Sequence, residues 1–256
     1  MDQTDKARRL AALHVRGDPL VLFNIWDAGS AKAVAEGGAK AIATGSWSVA
    51  AAQGYADGEA VPLDLLVRIV QRIVETVDLP VTVDFEGGYA TEPGEVADNV
   101  ERIISAGAVG INFEDGIVGQ DAVFGIPVQC RRIDAVRRRA DRLGLPLFIN
   151  ARTDLFLISE STDRHSELVD EAIERARAYA DAGASGFFAP GLADNGLIEA
   201  LCAATTRPVN IMVANGVPPV RDLATLGVSR VSHGPLPYVR CMGWLRENAA
   251  AAMLQD

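Results

Sequence analysis

The sequence predicts a single-domain α/β protein, a (β/α)8 barrel over residues 1–256. Three observations predict it: the length, an alternating series of strand-opening signals, and apolar helical stripes between them. At 256 residues and 49% hydrophobic content the chain can bury a substantial core, and a length of about 250 residues is that of one closed α/β barrel. The strand signals form two interleaved sets. Proline opens the first: Pro19 before residues 20–23, Pro80 before 81–83, Pro146 before 147–149 and Pro208 before 209–211. No ladder donor is lost when proline is the first residue of a strand. In the second set a glycine ends a helical stretch and a strand follows: Gly38 before Ala41, Gly107 before Gly110, Gly183 before Gly186 and Gly227 before Arg230. Glycine takes the left-handed conformation that terminates helices. The two sets alternate along the chain, giving eight strands with a helical segment after each. A doubly wound open sheet is the alternative that strand counting leaves standing.

The helices follow from 3.6-residue periodicity. Leu66, Ile69, Val70, Ile73 and Val77 form one stripe, and Val169, Ala172, Ile173, Ala176 and Ala180 form another. Ile133, Val136, Ala140 and Leu143 make a third, with Arg131, Arg132, Arg137, Arg138 and Arg139 interleaved; those arginines read as a solvated face. A last helix is expected over 237–253, its Val239, Met242, Leu245 and Met253 at helical spacing beside Trp244, closing the barrel or covering a partner. Three strand-to-helix connections are long, 45–62, 115–127 and 153–166. All leave the C-terminal ends of strands, the face on which such barrels carry their active sites.

Charge and cysteine content narrow the function. Lys and Arg number 24 against 34 Asp and Glu, a net charge of −10, with no basic run, so neither nucleic acid nor an anionic membrane is the expected partner. Cys130, Cys202 and Cys241 are scattered and suit neither a disulfide framework nor a zinc site. A soluble cytoplasmic protein is expected, since the first nine residues are charged and no 18-residue apolar stretch occurs.

The candidate chemistry lies where strands three, four and five end abruptly in charge: Asp84 and Glu86, Glu114 and Asp115, Arg152 and Asp154. Parallel strands bring these ends to one mouth. Several carboxylates gathered there repel one another, and a hard divalent cation, Mg²⁺ by default, relieves the repulsion. Asp84 and Glu86, two apart, share a strand face, so one can bind the metal directly and the other through water. Arg152 offers a planar fork to a substrate carboxylate or enolate oxygen. Asp115 and Asp154, just past their strands, read as turn-capping groups.

The stretches VTVDFEGGY (81–89), AGAVGINFED (106–115) and NARTD (150–154), in this order and spacing, resemble the isocitrate lyase and phosphoenolpyruvate mutase superfamily, in particular a short phosphoenolpyruvate-mutase-like branch. The resemblance runs from about residue 20 to residue 242. It implies a (β/α)8 barrel, a Mg²⁺ ion, and 2-oxo or 2-hydroxy carboxylate substrates whose chemistry passes through an enolate. Position by position it implies that Asp84 is the direct metal ligand and that Glu86, Glu114 and Asp57 hold the metal through water. It further implies that Arg152 binds substrate and that Thr44, Gly45, Ser46 and Trp47 hold a substrate carboxylate. In the resembling family the last helix is commonly exchanged between subunits, which implies a homodimer or homotetramer.

The loop after strand four departs from the family. Residues 116–127 contain no cysteine, lysine or histidine, whereas lyases of the superfamily carry a catalytic cysteine there and mutases a lysine and an asparagine. Cys130, just beyond, reads as a buried helix thiol. Tyr89, Tyr55 and His233 stay open as proton donors; His233 ends strand eight on the functional face, and histidine is the commonest general acid or base. His165 reads as an exposed loop residue, and His14 as lying outside the barrel. Three readings follow: a Mg²⁺-dependent carbon–carbon lyase, with Arg152, Glu114, His233 and Tyr89 as its catalytic candidates; an enzyme of phosphonate carbon–phosphorus bonds; and a barrel that binds an oxo acid without turning it over.

Overall fold

The computed structural model describes residues 1–159 and 161–253; residue 160 of the 153–166 connection, and 254–256 of the expected domain, lie outside the described residues. Eight parallel strands run β1 Leu20–Leu22, β2 Ile42–Ala43, β3 Val81–Asp84, β4 Gly110–Glu114, β5 Phe148–Arg152, β6 Gly186–Phe188, β7 Val209–Met212 and β8 Arg230–Ser232. They pair in sequence order from β2 to β8, and β8 pairs with β1. The ring is drawn together between β1 and β2 by a parallel bridge past the strand ends, Ile25 to Thr44, in which Ile25 N–H donates to Ala43 O at 2.9 Å and Gly45 N–H to Ile25 O at 3.1 Å. The molecule is the expected (β/α)8 barrel.

The helices are α1 Gln3–Ala12, α2 Ala28–Glu36, α3 Ser46–Ala52, α4 Leu63–Thr76, α5 Pro93–Ser105, α6 Ile126–Arg142, α7 His165–Asp181, α8 Asn195–Ala204, α9 Val220–Thr225 and α10 Leu236–Met253. Local chemistry sets their ends. Asp27 and Ser30 form a reciprocal capping box at the start of α2, and Pro93 occupies the first turn of α5, where no intrahelical donor is lost. Gly107, at φ +99° after α5, is required on two counts, because a Cβ there would stand 2.6 Å from Val74 Cγ1. The apolar stripes predicted for α4, α6 and α7 face the barrel, with Leu66, Val70, Ile73, Ile133, Val136, Ala172 and Ala176 buried. Among the described residues no helix is long and apolar enough to cross a membrane.

Several local expectations are corrected. The 45–62 connection is not all loop, because Ser46–Ala52 forms α3. The arginines of α6 are not a uniformly solvated face: Arg131 and Arg138 are exposed, but Arg132 is buried between the rings of Phe113 and Phe124, at 4.9 and 4.5 Å from their centroids. Arg137 donates to Leu147 O at 2.6 Å and Gly183 O at 3.1 Å. Cys130 is half-buried. His165 is a buried first residue of α7, its Nε2 3.2 Å from Phe156 O. His14, after α1, is buried against the barrel, with its ring stacked on Phe148 at 4.0 Å.

Burial, and then the charge of Arg230, push the His14 imidazole from 6.5 down to about 3. The unfolded chain therefore binds a proton between about pH 6.5 and 3 that the folded chain refuses, and stability falls as pH falls through that window. His14→Phe, which keeps the stack on Phe148, should flatten this dependence by up to about 1.4 kcal/mol per pH unit. Urea unfolding of both proteins at pH 4, 5, 6 and 7 checks this; parallel curves would refute it.

Candidate active site

The cavity at the C-terminal mouth of the barrel has a volume of about 180 Å³, and Ser46, Trp47, Asp57, Asp84, Asn112 and Arg152 are among its lining residues. It is smaller than the roughly 300–1,000 Å³ of pockets for drug-sized ligands, which suits a small acid. Asp84 ends β3 and is fixed on both carboxylate oxygens: Ser46 N–H donates to Oδ2 at 3.0 Å and Asn112 Nδ2 to Oδ1 at 3.1 Å. Its own N–H donates to Thr44 Oγ1 at 2.8 Å. Thr44 thus supports the site from behind, while Gly45, Ser46 and Trp47 line the cavity.

Glu86 stands behind Asp84 in a tight turn. Its backbone is left-handed at φ +50°, as are those of Gly88 at +88° and Tyr89 at +58°. Glu59, also left-handed at φ +60°, donates its N–H to Glu86 Oε2 at 2.6 Å and accepts the Tyr89 N–H on Oε1 at 2.7 Å. Arg132 closes the turn from α6 by donating to the carbonyls of Gly87 and Ala90. Tyr89 Oη lies 3.4 Å from Glu86 Oε1.

Arg152, at the end of β5, is held in a fork. Its Nε donates to Asp154 Oδ1 at 2.6 Å and its Nη2 to Oδ2 at 3.1 Å, while Nη1 lies 2.8 Å from Glu114 Oε2. Asp154 is itself anchored: its N–H donates to Asp115 Oδ1 at 3.0 Å, and Asp115 Oδ2 accepts from Arg175 and Tyr179 at 3.0 and 2.7 Å. Asp115 and Asp154, read from sequence as turn caps, therefore orient the arginine.

The electrostatics favour a cation among these carboxylates. Burial pushes the Glu86 carboxyl up to about 7, and the charges of Asp57, Asp84 and Glu59 push the same way. Asp57 is raised by burial and by Asp84, and Glu114 well above the usual carboxylate range by burial. Burial also works against the charge of Arg152, but Glu114, Asp154 and Asp84 outweigh it and hold the guanidinium protonated. Burial and the Glu86 charge raise the Tyr89 phenol, so it keeps its proton at neutral pH. Among the described residues no three His, Cys, Asp or Glu side chains form a direct metal cage. Two carboxylates, Asp57 and Asp84, line the cavity, a donor set that suits Mg²⁺, which keeps several waters and takes one or two carboxylates directly.

The fold separates the sequence candidates into three groups. Gly45, Ser46, Trp47, Asp57, Asp84 and Arg152 line the cavity. Thr44, Glu86, Glu114 and Tyr89 bond to or surround them from behind. His233 turns elsewhere: its ring packs 5.1 Å from Phe23, outside the cavity lining, and its N–H donates to Leu22 O and Asn24 Oδ1. Tyr55 is 40% exposed and also outside the lining. Sequence reasoning missed Asn24, Glu59, Asn112 and Arg132. The signal for Asn112 was present, since it sits two residues before Glu114 and so shares its inward strand face.

The phosphoenolpyruvate phosphomutase family model matches residues 10–254. The chain belongs to this family. A Burkholderia cenocepacia J2315 protein whose crystal structure was solved as that of a candidate phosphonomutase is 46% identical, with TM-score 0.95 over 98% of this chain and 99% of that one. The uncharacterized protein Rv1998c of Mycobacterium tuberculosis is 34% identical over 226 residues, 88% of this chain and 81% of that protein. The 2-methylisocitrate lyase of Escherichia coli is 27% identical over 248 residues, 93% and 81%. The phosphonopyruvate hydrolase solved with oxalate and Mg²⁺ shares the fold at 22% identity, with TM-score 0.84 over 98% and 87%. The phosphoenolpyruvate phosphomutase family and its isocitrate lyase relatives thus include lyases and mutases on one barrel.

Proposed function

We propose that the chain is a Mg²⁺-dependent lyase that cleaves a carbon–carbon bond of a small 2-hydroxy or 2-oxo carboxylate through an enolate. One observation carries this reading: a doubly anchored carboxylate, Asp84, and a clamped guanidinium, Arg152, line the same small cavity. Asp84 would hold Mg²⁺ directly, and Glu86, Glu114 and Asp57 through water. A bound Mg²⁺ supplies electrophilic stabilisation of negative charge at an oxo or hydroxyl oxygen. Arg152 binds the carboxylate and stabilises the same developing charge, the largest catalytic contribution in many enzymes. Ser46 and Trp47, which line the cavity, would hold the substrate carboxylate and wall it in. Tyr89 would serve as the proton donor; its Oη, 3.4 Å from Glu86 Oε1, and its retained proton at neutral pH support this role.

The test is a substrate panel followed by NMR. With Mg²⁺ present, an isocitrate analogue or oxaloacetate should yield pyruvate, glyoxylate or a similar fragment. Carbon–phosphorus cleavage or rearrangement of a phosphonate would favour the second reading, which the 46% identical relative supports. Oxalate binding without turnover of any oxo acid, hydroxy acid or phosphonate would overturn the enzymatic reading.

We also propose a homo-oligomer, dimer or tetramer. In α10, Val239, Trp244, Leu245 and Met253 are 48%, 65%, 52% and 80% exposed, so these side chains do not pack on their own barrel. Beside β1 lies an apolar groove of about 710 Å³ lined by Leu13, Val15, Val21, Phe23 and Val34. A second copy's α10 is its matching occupant. Light scattering should show a dimer or tetramer that Trp244→Glu with Leu245→Asp dissociates; a wild-type monomer would refute it.

A further inference from the structure

Below the cavity, inside the barrel, lies a guanidinium that forms no ion pair among the described residues. Arg230 opens β8 and is fully buried. It shares the inward face with Ser232, two residues on, which lines the cavity. Its Nη2 crosses the barrel to donate to Asn112 Oδ1 on β4 at 3.0 Å, while Nε and Nη1 find no partner among the described residues. The carboxylate its charge acts on is Asp84.

Asn112 is the link. Its Oδ1 accepts from Arg230 and also from Asn150 Nδ2, at 2.9 Å. Two donors on one amide oxygen leave Asn112 one orientation, with its NH2 turned the other way, where Nδ2 meets Asp84 Oδ1 at 3.1 Å. A flipped amide would set oxygen against carboxylate and NH2 against two donors, repulsive at every contact.

We propose that Arg230 is a positioning residue which, from beneath the cavity and through Asn112, holds the Asp84 carboxylate in the one orientation that presents it to a metal ion. The geometry stands by itself; its consequence for metal binding rests on the reading of Asp84 as the Mg²⁺ ligand.

The experiment compares the full-length wild type with Arg230→Met, Arg230→Lys and Asp84→Asn. It reads hydrogen exchange of the Asn112 side-chain NH2 by NMR in metal-free protein, Mn²⁺ affinity by electron paramagnetic resonance, and the melting temperature. Arg230→Met should speed Asn112 exchange at least tenfold and weaken Mn²⁺ binding about 10- to 100-fold, the usual cost of losing a group that orients a ligand. Arg230→Lys, which keeps the charge and a donor, should recover most of both. A change in melting temperature alone, with exchange and Mn²⁺ affinity at wild-type values, would overturn the proposal. Should the Met variant fail to fold, Arg230→Gln carries the same readings. If the wild type binds no Mn²⁺, the reading of Asp84 fails, and the exchange measurement in metal-free protein decides the Arg230 proposal by itself.

Discussion

Asp84→Asn should fold, bind no Mg²⁺ and lose turnover. The substitution is isosteric, and its energetic consequences oppose each other. Two N–H donors, from Ser46 and Asn112, now meet one oxygen and one NH2, a mismatch costing about 1–3 kcal/mol. Against this, Asp57 and Glu86 are each relieved of the Asp84 charge. The metal, however, loses its direct anionic ligand. Electrophilic stabilisation worth several kcal/mol disappears with it, so the rate should fall by about 10³-fold or more. Isothermal titration with Mg²⁺ and an assay of the substrate found by the panel check both halves. Mg²⁺-dependent turnover in Asp84→Asn would remove Asp84 from its role.

Arg152→Lys is the second large effect. The guanidinium spends three contacts on Asp154 and Glu114 while still lining the cavity. An ammonium cannot keep both acids and present a planar fork, so it should be drawn toward them and away from the substrate. The expected loss is about 10²- to 10³-fold in kcat/KM, with oxalate affinity falling in parallel. Asp154→Asn should cost less, about tenfold, because it loosens the fork without removing it. Equal oxalate affinity in wild type and Arg152→Lys would show that Arg152 does not touch the ligand.

The barrel could be read from the chain because its punctuation is local. Pro80 and Pro146 open strands, and Gly107 and Gly183 end helices, for reasons belonging to one residue each. Asp84, Glu114 and Arg152 were visible for a similar reason, as charges that interrupt apolar runs at strand ends. What stayed hidden depends on partners far along the chain. Arg132 looks like its neighbours on α6, and its partners, the carbonyls of Gly87 and Ala90, lie more than forty positions earlier. Asn112 passes for one more strand residue until Arg230, 118 positions away, is seen to donate to it. His233 could be placed at the end of strand eight, but not its side chain in the turn beyond, where Asn24 accepts the His233 and Gly234 N–H groups at 3.0 and 2.9 Å.

The left-handed backbone at Glu59, Glu86 and Tyr89 sets stability and chemistry against each other. Each such non-glycine residue costs on the order of 1–3 kcal/mol, which a glycine at the same position would largely relieve. A search for more stable variants would therefore be drawn to these positions. At Glu86 the relief would remove a carboxylate of the acid cluster; at Tyr89, the phenol beside it. A library selected on melting temperature alone should accumulate inactive proteins here, and the survivors of a joint selection should keep all three side chains.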